Sequence, residues 1–347
     1  MKAIIKKVIF QLACFGLVFV ICLGSSLLYA KPATRTITDM AGRKVEVPSV
    51  VNRISCIHPI PCHMVWRLAP RKLVSMDKQF KERFIFMSDE EAQKVAALPV
   101  TGEFHSGVSR EEMLMLKPDV VVSLNKDPDL DKEQEDYAAP VVATSKNNLI
   151  DYEASWRFIG QLVVNSKEGN ELAGYWEKTM AKVTAQTSKI PEKNKLKVYY
   201  AQANINCTVG TKTIMASIIR TAGGINFYDA IPCAITQQEN ESIVTPMEEV
   251  LKWNPDVIIT GTAKARDDIV SNPQWANIDA VKNKRVYASL NFERLDGIQS
   301  LLGLVWTAIQ LYPAQVKLDF EQETRTFYSK IYLNHHLTHA QIYEERN

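Results

Sequence analysis

The chain has 347 residues, 46% of them hydrophobic and 23% charged, with 41 basic against 39 acidic side chains. This composition excludes a disordered chain and a multi-span membrane protein. With no basic surplus and no dense Lys/Arg block, it gives no footing for a nucleic-acid or anionic-membrane partner, and the length predicts two domains of about 150 residues each.

In chain order, Lys2, Lys6 and Lys7 precede a largely apolar run over 8–30 that ends in Leu28-Tyr29-Ala30 before Lys31-Pro32. Residues 1–30 read as a secretory signal cleaved near Ala30, in preference to a retained anchor. Its three lysines leave with it, so the remaining chain has one more acidic than basic side chain. Cys14 and Cys22 follow no lipobox, which disfavours a lipid anchor.

Next, 36–38 and 44–47 alternate apolar and polar side chains around Asp39-Met40-Ala41-Gly42, with Pro48 closing the second run. This predicts a β-hairpin. Short β-prone runs at 53–57, 73–75, 120–122 and 141–143 then alternate with helical segments at 89–97 and 110–116, the pattern of an α/β lobe with a mainly parallel sheet. From Asn165 the period changes: Leu172, Tyr175/Trp176, Met180 and Val183 recur every three to four residues, and no proline intervenes before Pro191. The spacing predicts one long helix of roughly 35 to 40 Å, capped by Asn165 with Glu168 three residues on. Strands at 198–201, 257–260 and 285–288 follow, with helices at 213–222 and 300–311. The predicted organisation is an amino-terminal α/β lobe at 31–148, a helical connection at 149–192, a carboxy-terminal α/β lobe at 193–311 and a polar helical tail at 312–347 that packs on the outside.

An internal echo supports two lobes built alike. The stretch 111–122, EEMLMLKPDVVV, matches 248–259, EEVLKWNPDVII, without a gap. Each reads as a short helix, a Pro-Asp turn and a strand buried on both faces, because proline disfavours helix before it and a continuous Val/Ile run suits a covered strand.

Taken together, the hairpin with Asp39-Met40-Ala41-Gly42-Arg43, the two Glu-to-Pro-Asp units, Thr221-Ala222-Gly223-Gly224-Ile225-Asn226 and Lys284-Arg285-Val286-Tyr287-Ala288 resemble the periplasmic solute-binding proteins of ABC importers for siderophores, haem and cobalamin. The resemblance implies a class III fold, in which two Rossmann-like lobes with mainly parallel sheets are bridged by a single long helix. It also implies a periplasmic monomer that is not an enzyme, requires no cofactor of its own, captures a metal chelate such as an iron-siderophore between the lobes and hands it to an inner-membrane permease. In such proteins the cargo lies at the carboxyl ends of the strands. That plan lines the cleft with loops at 56–63, 102–106, 202–207 and 291–294 and assigns Cys56, His58, His63, Phe104, His105, Asn204, Phe292, Glu293 and Arg294 to it, with the segment around Cys233 as a fifth candidate. The Phe292-Glu293-Arg294 run is similar to a loop of cobalamin binders whose arginine contacts the ligand. The resemblance further places Glu111 and Glu248, each seven residues before the proline of its repeat, as permease-docking carboxylates. An acidic residue in a helix's first turn is also favoured for its own sake.

The Cys56 to His63 segment carries two thiols and two imidazoles in eight residues. In an oxidising compartment the favoured reading is two disulfides, Cys56 with Cys62 and Cys207 with Cys233, although sequence does not fix the pairing. The alternative is direct capture of nickel, cobalt or zinc, with His58, His63 and His105 as ligands and the thiols completing the site. A rival of another class is an exported thiol or metal enzyme using the same segment, but no third orienting residue accompanies the Cys-His pair. Trp66, Trp176 and Trp306 are predicted core residues. His335, His336 and His339 are read as a solvated face.

Overall fold

A computed structural model describes residues 33–103, 107–231 and 240–347. The leader and its cleavage site lie outside the described residues. Thr36–Val47 and Val51–Asn347 form one compact unit, while Pro48–Val50 group with the segment that ends at Arg35. Within that smaller unit the Ser49 N–H donates to the Ala33 carbonyl at 2.7 Å. Among the described residues no helix is long and apolar enough to cross a membrane.

The large unit holds two parallel sheets. In the amino-terminal half the order is Ile54–Cys56, Val120–Leu124, Val141–Thr144, and Leu73 adds a parallel bridge beside Ile54. In the carboxy-terminal half Ile225–Asn226, Lys197–Ala201, Val257–Thr260 and Val286–Ala288 run parallel in that order. Every residue of Val120–Leu124 and of Val257–Thr260 is buried, as expected where helices cover both faces of a sheet.

The two echoes fold alike. The helices Arg110–Leu116 and Met247–Trp253 are seven residues each, and both end on a left-handed residue, Lys117 at φ 45° and Asn254 at φ 51°. The following proline prevents a further helical turn. The aspartate after it then pins the start of the neighbouring strand. Asp119 accepts the N–H groups of Asn52 and Arg53 at 2.7 and 2.9 Å, and Asp256 accepts that of Lys197 at 2.8 Å. A Pro-Asp pair is therefore a strand-alignment device, with each carboxylate making a charge-assisted bond to backbone.

The hairpin motif works in a related way. Asp39 accepts the N–H groups of Ala41, Arg43 and Ala143, and the Arg43 guanidinium bonds the Val141 carbonyl, so the turn is fastened to the edge strand Val141–Thr144. Gly42 supplies the positive φ, 80°, that the turn needs.

The long helix is Ser166–Thr187, 22 residues or about 33 Å at 1.5 Å per residue. Asn165 does not cap it with its side-chain oxygen. Its Nδ2 donates to Glu168 Oε2 and to the Leu68 carbonyl, both at 2.9 Å, tying the helix start to the amino-terminal lobe. The preceding helix, Leu149–Leu162, packs against it through Gly160 and Gly169. A Cβ on Gly169 would lie 2.8 Å from the Trp156 carbonyl oxygen and 2.9 Å from Gly160 Cα. Tyr152 and Trp176 stack across the same pair with ring centres 5.2 Å apart.

Sequence periodicity gives little sense of what the tail does. Phe320–Ile331 packs on the amino-terminal half, where Arg67 Nε donates to the Lys330 carbonyl at 2.6 Å and Asn334 Nδ2 to the Phe86 carbonyl at 3.2 Å. The chain then returns to the carboxy-terminal half, with Glu345 bridged antiparallel to Leu290. A tail expected to pack on the outside thus crosses between the halves. One apolar cluster continues from Val45 through the connecting helices to Ile342.

Candidate functional site

A cavity of about 300 Å³ opens where the carboxyl ends of both sets of strands converge. The amino-terminal half contributes His58, Gln79, Arg83 and Lys146, and the carboxy-terminal half Tyr200, Gln202, Glu241, Thr262, Asp296 and Gly297. Arg346 arrives from the tail.

Local structure fixes each contributor. His58 is the N-cap of Pro59–Leu68, and its Nδ1 accepts the Ile60 N–H at 3.2 Å. Asp77 caps Lys78–Glu82, accepting the N–H of Gln79 at 2.7 Å, and so orients Gln79 and, one turn on, Arg83. Gly297 sits at φ 80°, and a Cβ there would lie 2.9 Å from Arg83 Nη1, so glycine is what lets the guanidinium lie against this turn. Lys146 follows the Val141–Thr144 strand and pairs with Glu241 at 2.7 Å.

The electrostatics centre on Asp296. Desolvation in the cavity opposes its charge, but Arg294, Arg83, Arg346 and Lys146 together outweigh it and hold the carboxyl below its ordinary value. Arg294 Nε lies 3.6 Å and Arg346 Nη1 3.8 Å from its Oδ1. Arg294 itself is pushed below the usual guanidinium range, first by burial and then by Arg346 and Arg83, with Asp296 and, more weakly, Tyr332 opposing the shift. Glu241 is held below its ordinary value because its pairing with Lys146 outweighs desolvation. Glu293 behaves oppositely. Fully buried, it is raised to about 8 and stays largely protonated at neutral pH, with Oε1 accepting the Leu290 N–H at 2.7 Å. After Lys146 is assigned to Glu241, three guanidiniums share one ionised carboxylate. Two of their nitrogens, Arg83 Nη1 and Arg294 Nε, are buried without a hydrogen-bond partner among the described residues. Burying donors without partners is costly, so these nitrogens keep unused hydrogen-bonding capacity beside Asp296.

Several residues expected at the cleft lie elsewhere. The Cys56 to His63 segment is not a loop: Pro59 and Pro61 fall in the first turn of a helix, where proline is tolerated, and the helix turns Cys62 and His63 inward. His63 is fully buried, with Nε2 3.0 Å from the Ile331 carbonyl oxygen and its ring packed on Trp66, Phe80 and Tyr332. Burial pulls its pKa down to about 3, so it is a neutral core residue and not a ligand of the cavity. Cys56 and Cys62 are buried free thiols with a hydrogen bond between their side chains, so the disulfide expected between them is not formed. Burial, reinforced by Cys56, pushes the Cys62 thiol well up. Cys207 is also a buried free thiol, and its expected partner Cys233 lies outside the described residues, as do Phe104 and His105. Phe292 is core, packed edge-on to Phe86 at 5.2 Å. Asn204 is exposed in a turn, its Oδ1 accepting the Asn206 N–H at 3.1 Å, while its neighbours Gln202 and Ala203 line the cavity. Arg294 does not line the cavity, although its Nε lies 3.6 Å from Asp296 Oδ1. Of the expected ligands among the described residues, His58 alone lines the cavity, and no group of three or more His, Cys, Asp or Glu there could hold a metal ion. Trp66, Trp176 and Trp306 are buried in the core as expected.

Sequence reasoning missed Gln79, Arg83, Lys146, Glu241, Asp296 and Arg346. Asp296-Gly297 directly follows the Phe292-Glu293-Arg294 run, so a reading extended by three residues would have reached it. Arg346 had no such signal.

A family profile described as periplasmic binding protein matches residues 86–289, more than half of the chain. The molybdate-binding protein MolA of Haemophilus influenzae is 25% identical over 340 residues, covering 90% of this chain and 94% of that protein. Among solved structures, an ABC transporter solute-binding protein from Sulfurospirillum deleyianum superposes with a TM-score of 0.74 at 20% identity, covering 89% of this chain and 98% of the other. MolA with molybdate bound superposes with a TM-score of 0.72 at 24% identity, covering 86% and 98%.

Proposed function

Because the chain belongs to the periplasmic binding protein family, we propose that it captures a compact oxyanion with two negative charges, of the molybdate and tungstate class, and delivers it to an ABC permease. The observation that carries this reading is the sharing of Asp296 among Arg83, Arg294 and Arg346, which leaves a surplus of two positive charges at the cavity. Guanidiniums remain charged and offer several donors in a plane, which suits an anion's oxygens better than a metal ion or a neutral solute. Size points the same way. Ligand cavities commonly span about 300 to 1,000 Å³, and this one lies at the small end, so a tetrahedral anion fits it better than haem, cobalamin or another macrocyclic chelate. The similarity to a molybdate-binding protein is consistent with that class.

Calorimetry with molybdate tests the reading. The unmodified protein is expected to bind, and Arg83→Gln to weaken binding tenfold or more, since loss of one partner in a buried charge interaction costs about 2 to 5 kcal/mol. Retained binding of a ferric or corrinoid chelate with no heat from molybdate or tungstate would overturn it.

Delivery is assigned to Glu111 and Glu248. Both are exposed in the first turn of their equivalent helices, and Leu114 and Leu251, three residues on, are exposed to similar extents, 38% and 40%. Each half thus presents a carboxylate and an apolar side chain on one helical face, a matched pair suited to a two-fold permease.

A further inference from the structure

The last residues of the chain form an extended segment beside the loop that follows Val286–Ala288. The Asn291 N–H donates to the Glu344 carbonyl at 2.7 Å, the Arg346 N–H to the Ser289 carbonyl at 2.9 Å, and the Ala263 N–H to the Arg346 carbonyl at 2.7 Å. Successive side chains of an extended segment point to opposite sides. Glu345 accordingly pairs with Arg266 Nη1 on the wall of a second cavity, of about 530 Å³. Arg346 turns the other way into the ligand cavity. Its backbone is fixed by two hydrogen bonds, yet its head group is 3.8 Å from Asp296, beyond hydrogen-bond reach, and its side chain is 34% exposed. It is a cation held in place and not fully engaged.

We propose that Arg346 is a specificity-determining residue that reads the second negative charge of the bound oxyanion, and that the Arg266–Glu345 pair on the reverse of the strand is its positioning device. The proposal rests on the anion reading above. With Arg346 present, the guanidinium surplus matches a dianion, and without it the surplus matches a monoanion. The preference for two charges over one is thereby traced to a single side chain at the far end of the sequence from Arg83.

Tungstate and perrhenate are tetrahedral oxyanions of similar size that differ by one charge. Calorimetry of the full chain with each, at one ionic strength, separates charge recognition from shape. The unmodified protein is expected to favour tungstate. Arg346→Gln is expected to lower the tungstate-to-perrhenate affinity ratio tenfold or more while changing perrhenate affinity less than threefold, and Arg346→Lys to keep most of the preference. Arg266→Met, which removes no group from the cavity, is expected to lower the ratio in the same direction and serves if Arg346→Gln does not fold. An unchanged ratio in Arg346→Gln, or in Arg266→Met where Arg346→Gln does not fold, overturns the proposal, whether both affinities fall together or neither does. If the ratio is unchanged while Arg83→Gln abolishes binding, only the role of Arg346 fails. If the unmodified protein binds neither anion, the anion reading fails and this proposal with it.

Discussion

The contrast between His58 and His63 shows how little separates a cavity residue from a core residue. Five positions apart, one caps a helix at the cavity and the other lies inside the aromatic cluster of Trp66, Phe80 and Tyr332. The sequence offers both as imidazoles in a proline-rich segment. It is the burial of His63, with its pKa near 3, that decides its role. An unfolded histidine titrates near 6.5, so between about pH 6.5 and 3 the unfolded chain binds a proton that the folded chain refuses. Stability is therefore expected to fall as pH drops through this window, by about 5 kcal/mol across the whole of it. Thermal melts from pH 7 to pH 4 should show a steeper decline in melting temperature for the unmodified protein than for His63→Leu. Parallel slopes would show that His63 is not the group responsible. Residue identity alone could not reveal this, since besides Trp66 and Phe80 the contacts that bury His63 include Ile331 and Tyr332, more than 260 positions away.

Among the elements, those governed by local rules were legible. The paired units 110–124 and 247–260 declared themselves through continuous Val/Ile runs and Pro-Asp turns, and the structure adds the reason for the aspartates, which fix the start of the neighbouring strands. Pro59–Leu68 was missed because its prolines read as a loop when they occupy the first helical turn. The tail was misjudged because its polar sequence does not show that 344–346 pairs with Ser289 and Asn291. The contact between the two connecting helices gives a direct test at this scale. With Trp156 O and Gly160 Cα both within 3 Å of a Gly169 Cβ, Gly169→Val would force the helices apart. It is expected to destabilise the protein by about 1 to 3 kcal/mol in chemical denaturation, the usual cost of overpacking. A change below about 0.5 kcal/mol would show that the helices adjust freely there.

In the whole molecule, the long helix Ser166–Thr187 and the tail that crosses and returns both join the halves. Their combined constraint favours a largely preformed cavity over wide opening, with recognition determined by charge placement. Transport and capture should then separate by mutation. Glu111→Ala and Glu248→Ala lie on outer helices away from the cavity, so uptake by cells carrying them is expected to fall while molybdate affinity of the purified proteins stays within twofold. Lost affinity in both would place these carboxylates in binding and not in delivery. Capture itself is tested most directly by anomalous scattering from crystals grown with saturating tungstate. A tungsten peak in the cavity, within reach of Arg83 and Arg346 and beside Asp296, is the expected result. A cavity without tungsten in those crystals, or tungsten bound only at other surfaces, would contradict the assignment of this site to an oxyanion.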